Sequence, residues 1–303
     1  NTCIYVTDFK GNHPRFVSYL LQTTSLAQLN SGAAQPSLNR NFVYGVKIRY
    51  PNFDEQERIA RHLERYEALI ANNKRRIELL EQSARLLFQE WFVHLRYPGH
   101  EHDKIVDGVP EGWERVSASS AVEINPSTLA ERVAAIPYVP MSALSETSMV
   151  IDTTLTERRT KHTNPKFRNG DVLFARITPC LENGKTGFVD FLNDGDVSCG
   201  STEFIVLRGR LVGPEFCYCL ARSEQFRQLA RKSLVGSSGR QRVQEECFDK
   251  YVLALAPNPI LAAFDDVVRP IFKGVRVLRL VNERLVRARD LLLPRLMDGR
   301  ISV

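Results

Sequence analysis

A short stretch of the sequence combines the side chains that read nucleic-acid bases with residues that allow a close backbone approach. It runs Gly236-Ser237-Ser238-Gly239-Arg240-Gln241-Arg242. Arg and Gln can make paired hydrogen bonds to guanine and adenine edges, and Ser hydroxyls suit phosphates. The two glycines indicate a flexible loop. We therefore expect Ser237, Ser238 and Arg242 to contact DNA, and Arg240 and Gln241 to be the base-reading residues.

A second stretch, residues 158–185, is rich in positive charge. It holds seven basic residues against two acids, Asp171 and Glu182. A solvated surface would explain any single one of these charges, but their density favours an anionic partner. The basic residues of the stretch that we expect to bind DNA are Arg158, Arg159, Lys161, Arg168, Arg176 and Lys185; Lys166 is the seventh.

Both stretches lie in a segment with mixed secondary-structure signals, residues 112–256. Short β-type runs occur at 136–139, 172–177 and 204–207, separated by turn residues such as Asn169-Gly170-Asp171. A helical pattern follows at 214–232. This pattern predicts a mixed α+β domain whose strand order the sequence does not determine.

A long helix is predicted to precede this domain, over residues 51–97. Asn52 is placed to cap it, with Glu55 three residues later as its capping-box partner. Apolar residues then recur at alternating spacings of four and three, with one polar exception, Asn73. Sustained heptads favour a coiled coil, in which a buried Asn often fixes the register. The predicted seam residues of this helix include Ile59, Leu63, Ile70, Asn73, Ile77 and Leu80.

A second long helix, residues 257–303, repeats the first at a shift of about 205 positions. It begins at Asn258-Pro259, with Asn258 as the expected cap, and it carries one seam Asn of its own. Two such helices separated by a domain can pair within one chain, and we expect an antiparallel coiled coil. The seam residues predicted for the second helix are Val268, Ile271, Val275, Leu278, Asn282 and Leu285.

The repeat extends beyond the helices. Residues 14–21 resemble 214–221, and Ser31, Gln35 and Phe42 match Ser237, Gln241 and Phe248. Residues 1–50 are therefore expected to be the C-terminal part of a first domain whose front is missing, as in a truncated chain or an incomplete gene product. Residues 98–111, with His100 and His102, are expected to be a polar linker rather than a metal site.

The composition is that of an ordinary globular protein with a basic balance. The 303 residues carry a net charge of +6, with 43% hydrophobic and 25% charged residues, and the pI is near 9.0. No apolar run approaches the roughly 18 residues of a membrane helix. The six cysteines are scattered, without a Cys-x-x-Cys pair, which favours a reducing cytoplasm.

The sequence lacks the signatures of the catalytic classes that act on DNA. An adenine methyltransferase needs an Asn/Asp-Pro-Pro-Tyr/Phe motif and a glycine-rich cofactor loop. The three Asn-Pro pairs, at Asn125, Asn164 and Asn258, lack the second Pro and the aromatic residue. Neither G-x-G-x-x-G nor G-x-x-x-x-G-K-[ST] occurs, and the carboxylates form no persuasive nuclease cluster. We expect a non-catalytic chain without a cofactor or metal.

Several motifs, in order, resemble the specificity subunits of type I restriction–modification systems. They are Pro51-x-x-x-Glu55-Gln56-x-x-Ile59, Val109-Pro110-x-Gly112-Trp113, Gly170-Asp171-Val172-Leu173-Phe174-Ala175-Arg176-Ile177-x-Pro179 and Leu292-Leu293-Pro294-Arg295-Leu296-Met297-x-Gly299-x-Ile301. The resemblance covers essentially the whole chain.

The resemblance implies two target recognition domains held apart by two antiparallel helices, each domain reading half of a split double-stranded DNA site. It also implies that the helices dock DNA methyltransferase subunits, through which the restriction and translocase subunits join. S-adenosylmethionine, ATP and Mg²⁺ would then belong to those partners. On this resemblance, residues 112–256 are expected to be the second recognition domain, and most of the first is expected to be absent. The alternative is a coiled-coil scaffold without a DNA role.

Overall fold

The structure, a computed structural model, describes residues 5–30, 37–129, 135–160 and 165–303. The chain divides into two compact units. The first comprises the described residues up to Arg75 together with Leu278–Val303, and the second comprises those of Arg76–Val277. Both boundaries fall inside long helices, so each long helix contributes to both units.

The predicted combination of long helices and an α+β domain is confirmed. Short 3₁₀ turns connect several elements, and no helix in the described part of the chain is long and apolar enough to cross a membrane. The helices are α1 (Pro14–Thr23), α2 (Arg40–Val43), α3 (Phe53–Phe88), α4 (Ala118–Ala121), α5 (Pro214–Arg222), α6 (Glu224–Lys232) and α7 (Asn258–Met297).

The strands lie in the second unit and are short. They are β1 (Ile105–Val106), β2 (Val109–Pro110), β3 (Glu114–Ser117), β4 (Val122–Ile124), β5 (Ile136–Val139), β6 (Glu157–Arg159), β7 (Lys166–Phe167), β8 (Val172–Ala175), β9 (Thr186–Phe188), β10 (Ser198–Gly200), β11 (Phe204–Gly209) and β12 (Val252–Leu255). The described strands form two four-stranded sheets, ordered β6-β5-β10-β7 and β4-β11-β8-β9, and two pairs, β1-β2 and β12-β3. All pairings are antiparallel except β5 with β10.

The core of the α+β domain lies between the two four-stranded sheets. Val139 and Phe167 from one sheet share a buried cluster with Leu173, Phe204 and Val206 from the other. All five side chains are at most 1% exposed. Burial on this scale is the main driving force for folding a sheet pair of such short strands. This core fixes the ends of the central strands β8 and β11, beside which the candidate site lies.

In the first unit, α3 and α7 pair in antiparallel orientation. Leu63 shares a buried cluster with Leu296, near the start of α3 and the end of α7. Further along, Asn73 Nδ2 donates to Asn282 Oδ1 at 3.0 Å, and Asn282 Nδ2 lies 3.4 Å from the Ile70 carbonyl oxygen. Both Asn side chains are buried, as predicted for the polar seam positions. Helix α1 completes the cluster through Phe16 and Tyr19.

In the second unit, the other halves of the same helices pair in the same sense. Phe92 of the α3 region packs against Phe264 of α7, with ring centroids 4.9 Å apart, and Phe216 of α5 lies against both. Leu80 lies against the backbone of Gly274. Most of the predicted seam residues are buried, while Leu80, Ile271 and Leu285 are half-buried.

A buried carboxylate attaches the α+β domain to α3. Glu81 is 2% exposed. It accepts hydrogen bonds from the Tyr218 hydroxyl of α5 at 2.6 Å and from the Met149 backbone N–H at 2.7 Å. The carboxylate raises the pKa of Tyr218, second to the effect of burial. Because a buried charge without partners is costly, these bonds specify where the domain sits on the helix.

The ends of the long helices differ from the sequence-based predictions. The Glu55 backbone N–H donates to Asn52 Oδ1 at 2.9 Å, so the predicted cap forms; the Glu55 side chain pairs with Arg49 instead of closing a capping box. A π-helical turn, Gln89–Val93, replaces the predicted α-helix through residue 97. It allows the adjacent Trp91 and Phe92 both to be buried.

Three other boundaries are corrected. The helix predicted at 214–232 breaks at Ser223, whose ψ of 143° is extended and whose hydroxyl donates to the Leu220 carbonyl. Helix α7 includes Asn258, so the predicted cap is wrong by one residue: the Pro257 carbonyl accepts the first helical hydrogen bonds. The predicted linker 98–111 contains the β1-β2 hairpin.

The Asn pair makes a testable contribution to stability. Replacing Asn73 alone by Leu strands the buried amide of Asn282, which should lower the free energy of unfolding by about 1–3 kcal/mol. Replacing both by Leu should restore most of the loss, because both polar groups are removed together. Urea denaturation of the two single variants and the double variant measures this; equal losses in singles and double would contradict it.

Candidate nucleic-acid interface

The predicted Gly-Ser-Arg stretch forms a short hairpin loop. Val235 and Arg242 close it through reciprocal backbone hydrogen bonds of 3.1 and 2.9 Å. Gly236 and Gly239 have φ of +132° and +76°, which L side chains rarely adopt, and the Arg240 N–H donates to the Ser237 carbonyl. Ser237, Ser238 and Arg240 are exposed. The loop therefore presents its donors to solvent.

The far side of this loop is attached to the end of β8. The Gln241 N–H donates to Thr178 Oγ1 and its carbonyl accepts from the Thr178 N–H, both at 3.0 Å. The Val243 N–H donates to the Arg176 carbonyl at 2.9 Å, and Ile177 pairs with Arg242. These bonds satisfy the backbone of Gln241. Within the described residues its side-chain amide has no hydrogen-bond partner and is available for a ligand.

The three arginines of this region differ in how their guanidinium groups are engaged. Arg176 donates to Glu245 at 2.9 Å and to the Val243 carbonyl at 3.2 Å. Arg242 holds Glu203 through two nitrogens. The guanidinium of Arg240, by contrast, has no partner among the residues that the structure describes. No local pattern in the sequence indicates this division.

The remaining basic residues do not converge on the loop in one patch. Arg159 stacks over the Tyr138 ring, 3.4 Å from its centroid, and pairs with Glu157. Arg158 donates to the Ala135 carbonyl. Lys185 Nζ donates to the Met141 carbonyl at 3.2 Å. Arg168 is exposed in the turn before β8, Lys166 lies on β7, and Lys161 lies outside the described residues.

Asp171, one of the two acids in the basic stretch 158–185, does not neutralise the surface charge of that stretch. It is 1% exposed. Its two oxygens accept from Arg208 Nε and Nη2, both at 2.7 Å, and one also accepts from the Arg168 N–H at 2.8 Å. The hydrogen bonds to Asp171 raise the pKa of Arg208. The pair has a structural role, holding β8 to β11.

Two further arginines, which the sequence places on an ordinary helix surface, hold the turn that leaves β8. Arg227 is 8% exposed and donates to the Leu181 carbonyl at 2.8 Å; burial lowers its pKa. Arg222 donates to the Gly184 carbonyl at 2.6 Å. Arginine forks that bind backbone carbonyls make this turn a rigid support for Thr178. No sequence signal distinguished them from solvated helix residues.

The described residues hold no group of three or more His, Cys, Asp or Glu side chains placed to bind a metal ion. The site that the structure does assemble is an arginine- and amide-bearing loop on a rigid support. Its free groups are hydrogen-bond donors together with the Gln241 amide oxygen. Such a set suits a ligand that carries both acceptors and donors, as base edges and phosphates do together.

The hydrogen bonds from Thr178 to the loop can be tested directly. Thr178→Val removes the acceptor of the Gln241 N–H while keeping the volume. If the lost bond lowers the free energy of opening by about 1–3 kcal/mol, hydrogen exchange at the Gln241 amide should accelerate by about 5- to 150-fold. The control is Thr186→Val, because the buried Thr186 hydroxyl has no hydrogen-bond partner among the described residues. Unchanged exchange at Gln241 would refute the proposed support.

Comparisons with known proteins agree on one family. Residues 1–82 match the type I restriction modification DNA specificity domain. The chain is 24% identical to the type I restriction enzyme MjaIX specificity subunit of Methanocaldococcus jannaschii, over 95% of this chain and 69% of that protein. It is 30% identical to the EcoEI specificity subunit of Escherichia coli over half of this chain, but spans only 26% of that relative.

The fold has a solved counterpart. The crystal structure of the type I restriction–modification S subunit from M. genitalium matches with a TM-score of 0.51 and 11% identity, over 93% of this chain and 72% of that one. The α+β domain with two long helices is thus a fold that the M. genitalium S subunit shares. The chain is therefore similar to the specificity subunits of type I restriction–modification systems.

Proposed function

We propose that this chain recognises one half-site of a split double-stranded DNA sequence through residues 112–256. The observation that carries the proposal is the loop at 236–242. Its backbone is bound to Thr178, while the side chains of Arg240 and Gln241 have no partners within the described residues. Preorganised donors with satisfied backbones lose little entropy on binding, which favours specific recognition.

Arg240 and Gln241 are the proposed base-reading residues. A side chain that bonds a base edge at two points discriminates against the wrong base by about 1–3 kcal/mol. The exposed Ser237, Ser238 and Arg168, together with Arg158 and Arg159, are proposed to contact phosphates. Arg176, whose guanidinium is bound by Glu245, is better suited to support the loop. Lys185, whose ammonium donates to the Met141 carbonyl, is better suited to a structural role.

The readout can be tested by comparing Gln241→Ala with Arg168→Ala on the methylated target sequence and on a scrambled duplex. Gln241→Ala should weaken binding to the target by about 1–3 kcal/mol and relax preference at one base pair. Arg168→Ala should weaken both duplexes alike and flatten the salt dependence. Equal losses on both duplexes for Gln241→Ala would show that the loop only positions the protein.

The long helices are proposed to dock the DNA methyltransferase subunits, and through them the restriction and translocase subunits. Exposed leucines support this: Leu79 and Leu86 are about half exposed and lie seven residues, two helical turns, apart on α3. Leu86 also lines a groove of about 260 Å³ with Arg85, Phe88 and Arg222. Apolar side chains beside an open groove are typical of protein interfaces.

In this proposal the chain has no catalysis of its own, and S-adenosylmethionine, ATP and Mg²⁺ act in the partner subunits. The complex would work in the cytoplasm of a bacterium or archaeon. The five described cysteines are free thiols, as a reducing compartment would leave them.

Docking and dependence on partners can be measured together. DNA methylation should be undetectable with the chain alone and should appear when the modification subunits are added. Leu86→Asp should lower the affinity for those subunits at least tenfold, because a charge replaces an apolar contact. The control is Leu155→Asp, a similarly exposed leucine of the α+β domain. Methylation by the pure chain, or equal affinity for both variants, would contradict the proposal.

A further inference from the structure

Glu203 occupies a fixed position beside the loop at 236–242. It lies in the turn before β11, where its N–H donates to Ser201 Oγ at 3.2 Å and its carbonyl accepts from the Arg176 N–H at 3.0 Å. The following residue, Phe204, pairs with Ala175 in the sheet. The carboxylate is therefore carried by a turn that is hydrogen-bonded to the end of β8.

This carboxylate holds Arg242 along one edge of its guanidinium. Arg242 Nε donates to Glu203 Oε2 at 2.9 Å, and Nη2 donates to Oε1 at 2.6 Å. Two parallel charge-assisted bonds fix the plane of the guanidinium as well as its position. The bond from Arg242 lowers the pKa of Glu203, and Arg176 lowers it further. The backbone of Arg242 is also held, by Val235 and Ile177.

The opposite edge of the same guanidinium is free within the described residues. An arginine has five N–H donors, and Glu203 uses the Nε–H and one Nη2–H. The remaining donors lie on Nη1 and Nη2, on a side chain that is 46% exposed. That edge is the one whose two parallel N–H groups match the O6 and N7 acceptors of guanine.

We propose that Arg242 reads a guanine of the half-site through its Nη1–Nη2 edge, and that Glu203 is the positioning residue that holds the guanidinium for this contact. The assignment rests on the proposed function of the loop. Arg240, whose guanidinium has no partner in the described part of the chain, can adapt to a base or a phosphate. Arg242 is already oriented and largely neutralised, so it adds base discrimination with little attraction to DNA of any sequence.

The test uses the full chain in complex with its modification subunits and a series of duplexes. Each duplex carries the methylated target with one base pair of the half-site replaced, and a scrambled duplex is the reference. Arg242→Lys keeps the charge but loses the fork, so the preference for guanine at one position should fall by about 5- to 150-fold.

Glu203→Gln should relax the preference at that same position, because a neutral amide cannot accept both bonds. It should also tighten binding to the scrambled duplex, since a released Arg242 can meet a phosphate. One added phosphate contact steepens the slope of log K against log salt by about 0.9, so the gain at 50 mM salt should exceed the gain at 200 mM by about 3.5-fold. A purely structural ion pair would not alter preference at a single base pair.

The control is Asp298→Asn, which makes the same change in net charge and releases Arg300 on the C-terminal segment. It should leave every base preference unchanged. If the wild-type complex prefers its target but Arg242→Lys and Glu203→Gln leave all preferences unchanged, the inference is wrong and the proposed function stands. If Glu203→Gln relaxes preference at a cytosine while Arg242→Lys does not, Glu203 itself contacts a base and the inference is also wrong. A wild-type complex without any preference would refute the proposed function instead.

Discussion

The apolar stripes of the two long helices must be buried, and this requirement organises both units of the protein. In each unit α3 and α7 bury their stripes against each other and against a short helix that starts with a proline, α1 in one case and α5 in the other. The Asn73–Asn282 bond adds little net energy, since a polar pair in a seam is roughly neutral at best. Its effect is on register, because any slip would leave two amides buried without partners.

The two units show how a duplicated arrangement can diverge while its packing is kept. Phe16 meets α3 and Phe216 meets α7 in corresponding places. The charges beside them are reversed in sign. Arg15 pairs with Glu64 at 3.0 Å, whereas the corresponding positions carry Glu215 and Arg269, and Arg269 pairs with Asp265 of its own helix. The apolar contacts are thus kept in both units while the ion pair is not.

Buried and half-buried carboxylates determine what each arginine of the α+β domain can do. Asp171 binds Arg208 within the sheet, and Glu245 binds Arg176 under the loop. Glu203 orients Arg242 at the surface. An arginine with a free guanidinium and an arginine held by a carboxylate contribute differently to the affinity and to the specificity of DNA binding. The role of each loop arginine therefore follows from its ion pairs and not from the composition of the loop.

The sequence by itself determined the long helices, their pairing along heptad seams that each carry one Asn, the α+β character of residues 112–256 and the resemblance to specificity subunits. Periodicity and turn chemistry are local properties, and a direct repeat preserves them. It also identified the loop at Arg240. The tertiary structure alone decided the break at Ser223, the strand order, the support from Thr178 and the pairing of Arg242 with Glu203. The last two contacts join residues 63 and 39 positions apart along the chain. One sequence has no periodic or local pattern that encodes contacts between side chains brought together only by tertiary packing.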